Sequence, residues 1–208
     1  LSTGSSTGHL IVEPSSTHPT HFFGCNDMWR GVVNNGGNVT ITLAGDATIF
    51  EDAIEAIRSI GGEVNIRYAK FKENHIGIQL INYDQSPPNN ATMEGLLGME
   101  FSCPDNVLSK EPHDGEQSLA NIDLIDVDNV SIGGFGMTSN TLIAYKNKFA
   151  DAIYGIRSSN SNGIIFNNEF DNIGVKNSNF CLCDGSIFAL NGSDLTIGGL
   201  LSGTTGNP

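Results

Sequence analysis

The stretch that decides the fold runs from Asn38 to Leu80 and reads NVTITLAGDATIF, EDAIEAIRS and IGGEVNIRYAKFKENHIGIQL. Short runs of β-branched and aliphatic residues alternate here with turn-forming Gly, Asn and Asp. No segment keeps an apolar period of about 3.6 residues over the length of an ordinary helix. The stretch therefore predicts short strands separated by tight turns.

The same pattern returns about a hundred residues later. EDAIEAIRSIGGEVNIRYAKF (51–71) aligns without a gap on ADAIYGIRSSNSNGIIFNNEF (150–170). The identical positions are Asp52 with Asp151, Ala53 with Ala152, Ile54 with Ile153, Ile57 with Ile156, Arg58 with Arg157, Ser59 with Ser158, Ile66 with Ile165 and Phe71 with Phe170. Self-similarity built from short β units indicates a solenoid.

A solenoid of this kind predicts an all-β fold with parallel pairing. Each strand pairs with its equivalent one coil away, at about 4.8 Å, and aliphatic side chains form columns inside. Asn at the corners tolerates a left-handed backbone and can bond the next Asn. Coils of roughly 20 to 25 residues give about eight to ten coils in one domain spanning 1–208.

The repeated pattern of short strands and turns is interrupted near residues 84–117. Pro87, Pro88 and Pro112 cannot donate to a strand ladder, so we expect a loop excursion from the coil. Within it, TMEGLLGMEFSC (92–103) has the pattern of a further coil strand.

The amino-acid composition limits the kinds of molecule that this protein is expected to bind. Charged residues make up only 16% of the chain, there are 25 glycines, and the net charge is −13. We expect nucleic acid and anionic membrane surfaces to be poor partners because their phosphates would be repelled. No apolar run approaches about 18 residues, so no membrane span is expected. Cations and neutral or basic polymers are the favoured partners.

The two ends of the chain are rich in small and turn-forming residues. The chain starts in a Ser/Thr/Gly segment and stops at Gly206-Asn207-Pro208, so we expect a fragment of a longer, multi-domain protein.

The chain has four cysteines, Cys25, Cys103, Cys181 and Cys183. They allow three disulfide pairings, and free thiols in the core are an equal alternative.

The passage after Cys25 carries a family resemblance. Met28 to Val32 reads MWRGV, and a Gly turn, the NVTI strand, DATIFEDAIEAI (46–57) and FKENHIGIQL (71–80) follow. This series resembles the right-handed parallel β-helix repeat regions of secreted and cell-surface proteins of Bacteroidetes-type bacteria. The resemblance implies a right-handed winding, an extracellular or cell-surface location, and a structural or adhesive role.

The only tryptophan lies in this passage. We expect Trp29 to cover the end of the core and Arg30 to face solvent. The alternative is a binding role, in which Trp29 stacks on a sugar ring with Arg30 beside it.

Two acidic motifs are candidates for catalysis. Asp52 with Arg58, and Asp151 with Arg157, would suit a polysaccharide lyase, but their recurrence at equivalent repeat positions favours a structural role. Glu111-Pro112-His113-Asp114 is similar to the Asp-Pro-His-Asp/Glu signature of β-helical alginate epimerases, which would make Glu111, His113 and Asp114 catalytic. Glu replaces the leading Asp, however, and no Tyr-Gly precedes the motif, so we expect an ordinary loop.

A third acidic group is a candidate metal site. Asp123, Asp126 and Asp128 in IDLIDVDN could offer oxygen ligands to calcium at an exposed corner. The alternative is a solvated strand edge without any cofactor.

These observations favour a non-catalytic extracellular or cell-surface β-helix that serves as a structural or adhesive scaffold and contacts a glycan or a cell-surface protein. The first alternative is a lyase, epimerase or glycosidase acting on acidic polysaccharide. The second is a surface-filament subunit whose coils associate end to end, because open coil ends carry unpaired strand edges.

Overall fold

The computed structural model describes residues 2–3, 8–15, 18–42, 47–82, 95–138, 141–174 and 185–198. These residues form strands and turns; no helix occurs among them, and so none that is long and apolar enough to cross a membrane. The strands are β1 Ser2–Thr3, β2 His9–Val12, β3 His21–Phe23, β4 Val32–Asn35, β5 Asn38–Ile41, β6 Ile49–Glu51, β7 Glu55–Ile60, β8 Glu63–Arg67, β9 Lys70–Lys72, β10 Ile76–Ile81, β11 Leu96–Leu97, β12 Glu100–Ser102, β13 Ser118–Ile125, β14 Val130–Ile132, β15 Gly134–Thr138, β16 Thr141–Tyr145, β17 Asn147–Ala150, β18 Ala152–Ser159, β19 Asn162–Phe166, β20 Asn168–Asp171, β21 Gly185–Leu190 and β22 Asp194–Gly198.

Three parallel sheets collect every third strand of the regular coils. Sheet A has the order β1-β4-β7-β10-β13-β18-β21, sheet B the order β2-β5-β8-β11-β14-β19-β22, and sheet C the order β3-β6-β9-β12-β17-β20. One pass from A through B to C makes one coil. The arrangement is consistent with a parallel β-helix, which confirms the predicted all-β class and parallel pairing.

The described residues form seven coils, fewer than the eight to ten expected, and the last has strands only in sheets A and B. Two insertions take up the additional length. One is the loop between β12 and β13 (103–117), and the other is the antiparallel hairpin β15–β16. The strands at 96–97 and 100–102 confirm a coil within the predicted excursion, while residues 83–94 lie outside the described residues.

Inside the coils, the aligned repeat positions fall into common columns. Ile57, Ile78, Ile122 and Ile156 are register partners on adjacent strands of sheet A. In sheet B the corresponding column is Ile41, Ile66, Leu96, Ile132 and Ile165. All nine side chains are at most 1% exposed, so the aliphatic columns predicted from the repeat form the core.

Sheet C contributes an aromatic column with one ring from each of the first six coils. Adjacent rings are stacked with centroids 4.7 to 5.3 Å apart. The rings are Phe22, Phe50, Phe71, Phe101, Phe149 and Phe170. Trp29 stacks on Phe22 at 6.0 Å, and its Nε1 donates to the Glu51 carbonyl at 2.8 Å. Trp29 thus packs on the first ring of the column, while Arg30 is exposed, as expected.

The corners explain the Gly and Asn content. At the corner between sheets A and B, successive coils place a left-handed residue at the same point, and the N–H of each donates to the next coil except in the last. The residues are Gly36, Gly61, Asn82, Asp126, Asn160 and Asn191. Gly, Asn and Asp carry the smallest penalty in this conformation, so the corner selects them.

Candidate functional site

A polar groove follows the A–B corner of the last three coils and continues onto sheet B. We call it the corner groove, and its volume is about 540 Å³. Its lining is rich in carboxylate, amide and hydroxyl groups. The polar side chains are those of Asp126, Asp128, Asn129, Ser131, Asn160, Ser161, Asn162, Asp194 and Thr196, and Ile164 adds an apolar surface that is 51% exposed.

Hydrogen bonds between coils orient these side chains. Asn160 Nδ2 donates to Asp126 Oδ1 at 2.8 Å, and Asn162 Nδ2 donates to Asp128 Oδ1. The Asn162 side-chain oxygen in turn accepts the Asn129 N–H at 2.7 Å. Because these bonds join the fifth coil to the sixth, the groove presents carboxylate and amide groups held in fixed positions across two neighbouring coils.

The three aspartates predicted as calcium ligands do not converge. Asp126 and Asp128 lie in the corner groove, whereas Asp123 projects from the outer face of sheet A and is 1% exposed. Arg157 donates to its two oxygens at 2.8 and 2.7 Å, and Gln79 donates at 2.9 Å. The Asp123 hydrogen bond raises the pKa of Arg157, which keeps the guanidinium charged. A calcium ion held by Asp126 and Asp128 stays a prediction.

A second cluster joins the 103–117 loop to the residue that precedes β10. We call His75, His113 and Glu116 the histidine cluster. The two imidazole rings stack with centroids 3.7 Å apart and planes 5° from parallel. Glu116 Oε2 lies 2.8 Å from His113 Nδ1 and 4.0 Å from His75 Nδ1. This is the only group of three metal-ligand side chains found together among the described residues.

The two rings differ in their surroundings. Burial lowers the pKa of His75 to about 4, with a further contribution from His113. His75 is therefore neutral at pH 7, and its buried Nδ1 has no hydrogen-bond partner among the described residues. A neutral imidazole with an unsatisfied nitrogen can accept a proton, donate one, or bind a metal.

Of the candidate catalytic residues Glu111, His113 and Asp114, only His113 lies in this cluster. His113 belongs to it, while Glu111 and Asp114 are exposed on the same loop. The Glu111 carbonyl accepts the Met28 N–H at 2.8 Å, which ties the loop to the second coil. A catalytic role for Glu111, His113 and Asp114 stays a prediction.

His75 and Glu116 were not among the site residues predicted from the sequence. The spacing of His113 and Glu116, three residues apart, was a visible signal for one pair of ligands. His75 lies on another coil, and nothing in the sequence relates it to the loop. Trp29 and Arg30, the predicted binding residues, do not line the corner groove.

The described cysteines are unpaired. Cys25 is exposed and Cys103 is buried, and both are free thiols. Burial raises the pKa of the Cys103 thiol to about 11. Cys181 and Cys183 lie outside the described residues.

Comparison with protein-family models, with curated proteins and with solved structures found no match. The resemblance to β-helix repeat regions therefore stays a prediction.

Proposed function

We propose that this chain is a non-catalytic, right-handed parallel β-helix of an extracellular or cell-surface protein, which serves as a stiff scaffold and contacts a neutral glycan through the corner groove. The right-handed sense follows the strong preference of parallel strand connections. The observation that carries the proposal is the row of carboxylate and amide groups fixed by bonds between coils.

A scaffold role is supported by the continuous strand pairing and side-chain packing of the described coils. Interior strands pair on both sides, and the ring column continues from Phe22 to Phe170. Buried amides add bonds between coils: Asn147 Nδ2 donates to the Leu96 carbonyl at 2.9 Å and to Asn168 Oδ1 at 2.9 Å. Packed interiors resist deformation, so the outer faces hold their polar groups at constant spacing.

The charge of the groove favours a neutral glycan. Asp126, Asp128 and Asp194 line it, and no Lys or Arg side chain is among the lining residues that the structure describes. A uronate polymer would bring further carboxylates against these three and would be repelled. Sugar hydroxyls are both donors and acceptors and can bond carboxylate and amide groups, and Ile164 offers an apolar surface for a ring face.

The test is affinity electrophoresis in gels that contain neutral polysaccharides such as xyloglucan, galactomannan or mixed-linkage glucan. We expect one of them to retard the protein without being shortened. A variant carrying Asp128→Ala, Asn162→Ala and Asp194→Ala should lose retardation. The matched control, Lys148→Ala with Glu169→Ala on sheet C, should keep it. Equal retardation of the two variants, or none in any polymer, would contradict the proposal.

An enzyme acting on acidic polysaccharide is the alternative that His113 favours. His113 lies beside His75, whose pKa is also lowered by nearby Arg157, so an imidazole and a guanidinium share one region. Arg157 is already paired with Asp123 at two positions, which weakens it as a uronate ligand. Incubation with alginate or pectate tests the alternative, because a lyase would generate unsaturated, ultraviolet-absorbing ends that His113→Ala would abolish.

End-to-end association is favoured by the last described coil. Ile197 continues the inward column of sheet B as the register partner of Ile165, yet it is 62% exposed. An exposed column residue at the edge of the described coils offers an apolar surface for another coil. A filament subunit would sediment far above the 22.1 kDa of one chain.

A further inference from the structure

The histidine cluster has a geometric feature that the proposed glycan contact does not use. His113 and Glu116 satisfy each other at 2.8 Å, whereas His75 Nδ1 is buried and has no hydrogen-bond partner among the described residues. Leaving a buried polar atom unpaired costs about 1–3 kcal/mol. A group that contacted His75 Nδ1 and Glu116 together would remove that cost.

We propose that His75, His113 and Glu116 bind one divalent transition-metal ion of the zinc class, which fastens the 103–117 loop to the start of β10. The three candidate ligand atoms lie within 4.8 Å of one another. In a tetrahedral zinc site with ligands at about 2.1 Å, neighbouring ligand atoms are about 3.4 Å apart. The separations of 2.8 and 4.0 Å from Glu116 Oε2 lie on either side of that value.

The donor set selects the metal. Two imidazole nitrogens and one carboxylate oxygen suit zinc and its neighbours in the first transition series. Calcium and magnesium prefer sites made of oxygen ligands alone. Three protein ligands leave a fourth position for water, as in open zinc sites.

Binding requires one local adjustment. The rings are nearly parallel, so their Nδ1 lone pairs must tilt toward each other to meet at one ion. His113 belongs to a loop outside the strands, which is closed by main-chain bonds such as Leu108 N–H to the Glu116 carbonyl at 2.7 Å and is tied to other coils through Lys110 and Glu111. The Glu116 side chain is 57% exposed and can move with it. The tilt therefore does not disturb the paired strands.

Charge around the cluster favours a cation. The chain carries a net charge of −13, and Glu111 and Asp114 are exposed on the same loop. A field of this sign raises the local concentration of cations. Arg157 lies near His75, but its pairing with Asp123 offsets its repulsion of a bound ion.

The experiment uses the whole chain, treated with chelator and returned to metal-free buffer. Titration with Co²⁺ should produce the visible absorption of a four-coordinate site with one equivalent bound, and Zn²⁺ should abolish it. His113→Asn and Glu116→Gln should each weaken Zn²⁺ binding at least about 100-fold in calorimetry, because each removes a direct ligand. Glu111→Gln with Asp114→Asn, the matched control on the same loop, should keep one-site binding. Zn²⁺ should also slow hydrogen exchange of residues 108–116.

Two results would overturn the proposal. The first is the absence of a four-coordinate Co²⁺ spectrum in the unaltered chain. The second is Zn²⁺ binding that His113→Asn and Glu116→Gln leave unchanged, which would place the ion elsewhere on the chain. If His113→Asn does not fold, Glu116→Gln decides alone, since its side chain lies mostly in solvent.

Discussion

The two copies of the repeat, residues 51–71 and 150–170, share a backbone but differ in their outward contacts. Asp52 and Asp151 both turn the chain with a left-handed backbone, at φ 58 and 57. Ile57 and Ile156 are in one column of sheet A. Inward and corner positions are therefore conserved between the copies because each must continue the same column.

The outward side chains have different partners. Asp52 Oδ2 accepts from Lys110 Nζ at 2.6 Å, whereas Asp151 accepts from Asn172 Nδ2 and, at 3.4 Å, from the Cys103 N–H. Arg157 binds Asp123 with two nitrogens, whereas the buried Nε of Arg58 has no hydrogen-bond partner among the described residues. Neighbouring coils and loops, and not the repeat, decide these contacts. Neither Asp bonds the Arg of its own copy, and the structural role predicted for the two Asp and Arg pairs stays a prediction.

The largest difference between the copies should come from the ring column. Phe71 is 2% exposed and stacks on Phe50 and Phe101 at 5.3 and 4.7 Å, whereas Phe170 is half-buried and stacks on Phe149 at 4.9 Å. Phe71→Ala should cost about 3–5 kcal/mol of unfolding free energy, and Phe170→Ala roughly half of that. Urea unfolding followed by circular dichroism measures both. Equal costs would show that the column does not end at the sixth coil.

A smaller difference should separate the two arginines. Arg157→Met leaves the buried Asp123 carboxylate without its cation, which should cost about 3 kcal/mol. Arg58→Met removes an unsatisfied buried N–H and should change the unfolding free energy by less than about 1 kcal/mol. Adding Asp123→Asn to Arg157→Met should recover part of the loss. Equal effects of the two arginine variants would contradict the pairing.

The stability costs of substituting the two corner aspartates, Asp52 and Asp151, should differ less. Asn tolerates the left-handed backbone, so Asp→Asn at either position removes charge without adding strain. Asp52→Asn weakens the bond to Lys110 and should cost about 1–2 kcal/mol, while Asp151→Asn should cost under about 1 kcal/mol. Chemical denaturation of the two variants gives the order, and a larger cost at Asp151 would reverse the assignment.

The smallest effect is one of reactivity, with no change in stability. The thiolate is the reactive form, and the raised pKa of about 11 keeps Cys103 protonated at pH 8. Iodoacetamide should therefore label exposed Cys25 and leave Cys103 unmodified in the native chain. Labelling of Cys103 should increase as the pH approaches 11 or when urea unfolds the coils. Peptide mass spectrometry resolves the two sites, and equal labelling at pH 8 would contradict the burial of Cys103.

The sequence could predict the inward repeat positions but not the outward and loop contacts. The alignment of Ile66 with Ile165 and of Phe71 with Phe170 predicted their shared columns, because inward positions obey one rule in every coil. The described residues form seven coils where eight to ten were expected, because the hairpin β15–β16 has the composition of coil strands but pairs antiparallel. The histidine cluster was missed because His75 and His113 meet through the path of a loop, which has no periodic signal.

The stacking of coils is the central claim, and a distance along one column tests it most directly. Ile11 and Ile164 are both more than half exposed and lie five strands apart in sheet B. For labelling, the native cysteines are replaced by serine. Spin labels at Ile11→Cys and Ile164→Cys should give a dipolar distance distribution centred near about 24 Å, five strand spacings. A distribution centred beyond about 35 Å, or below about 15 Å, would contradict parallel coils at the strand spacing of a sheet.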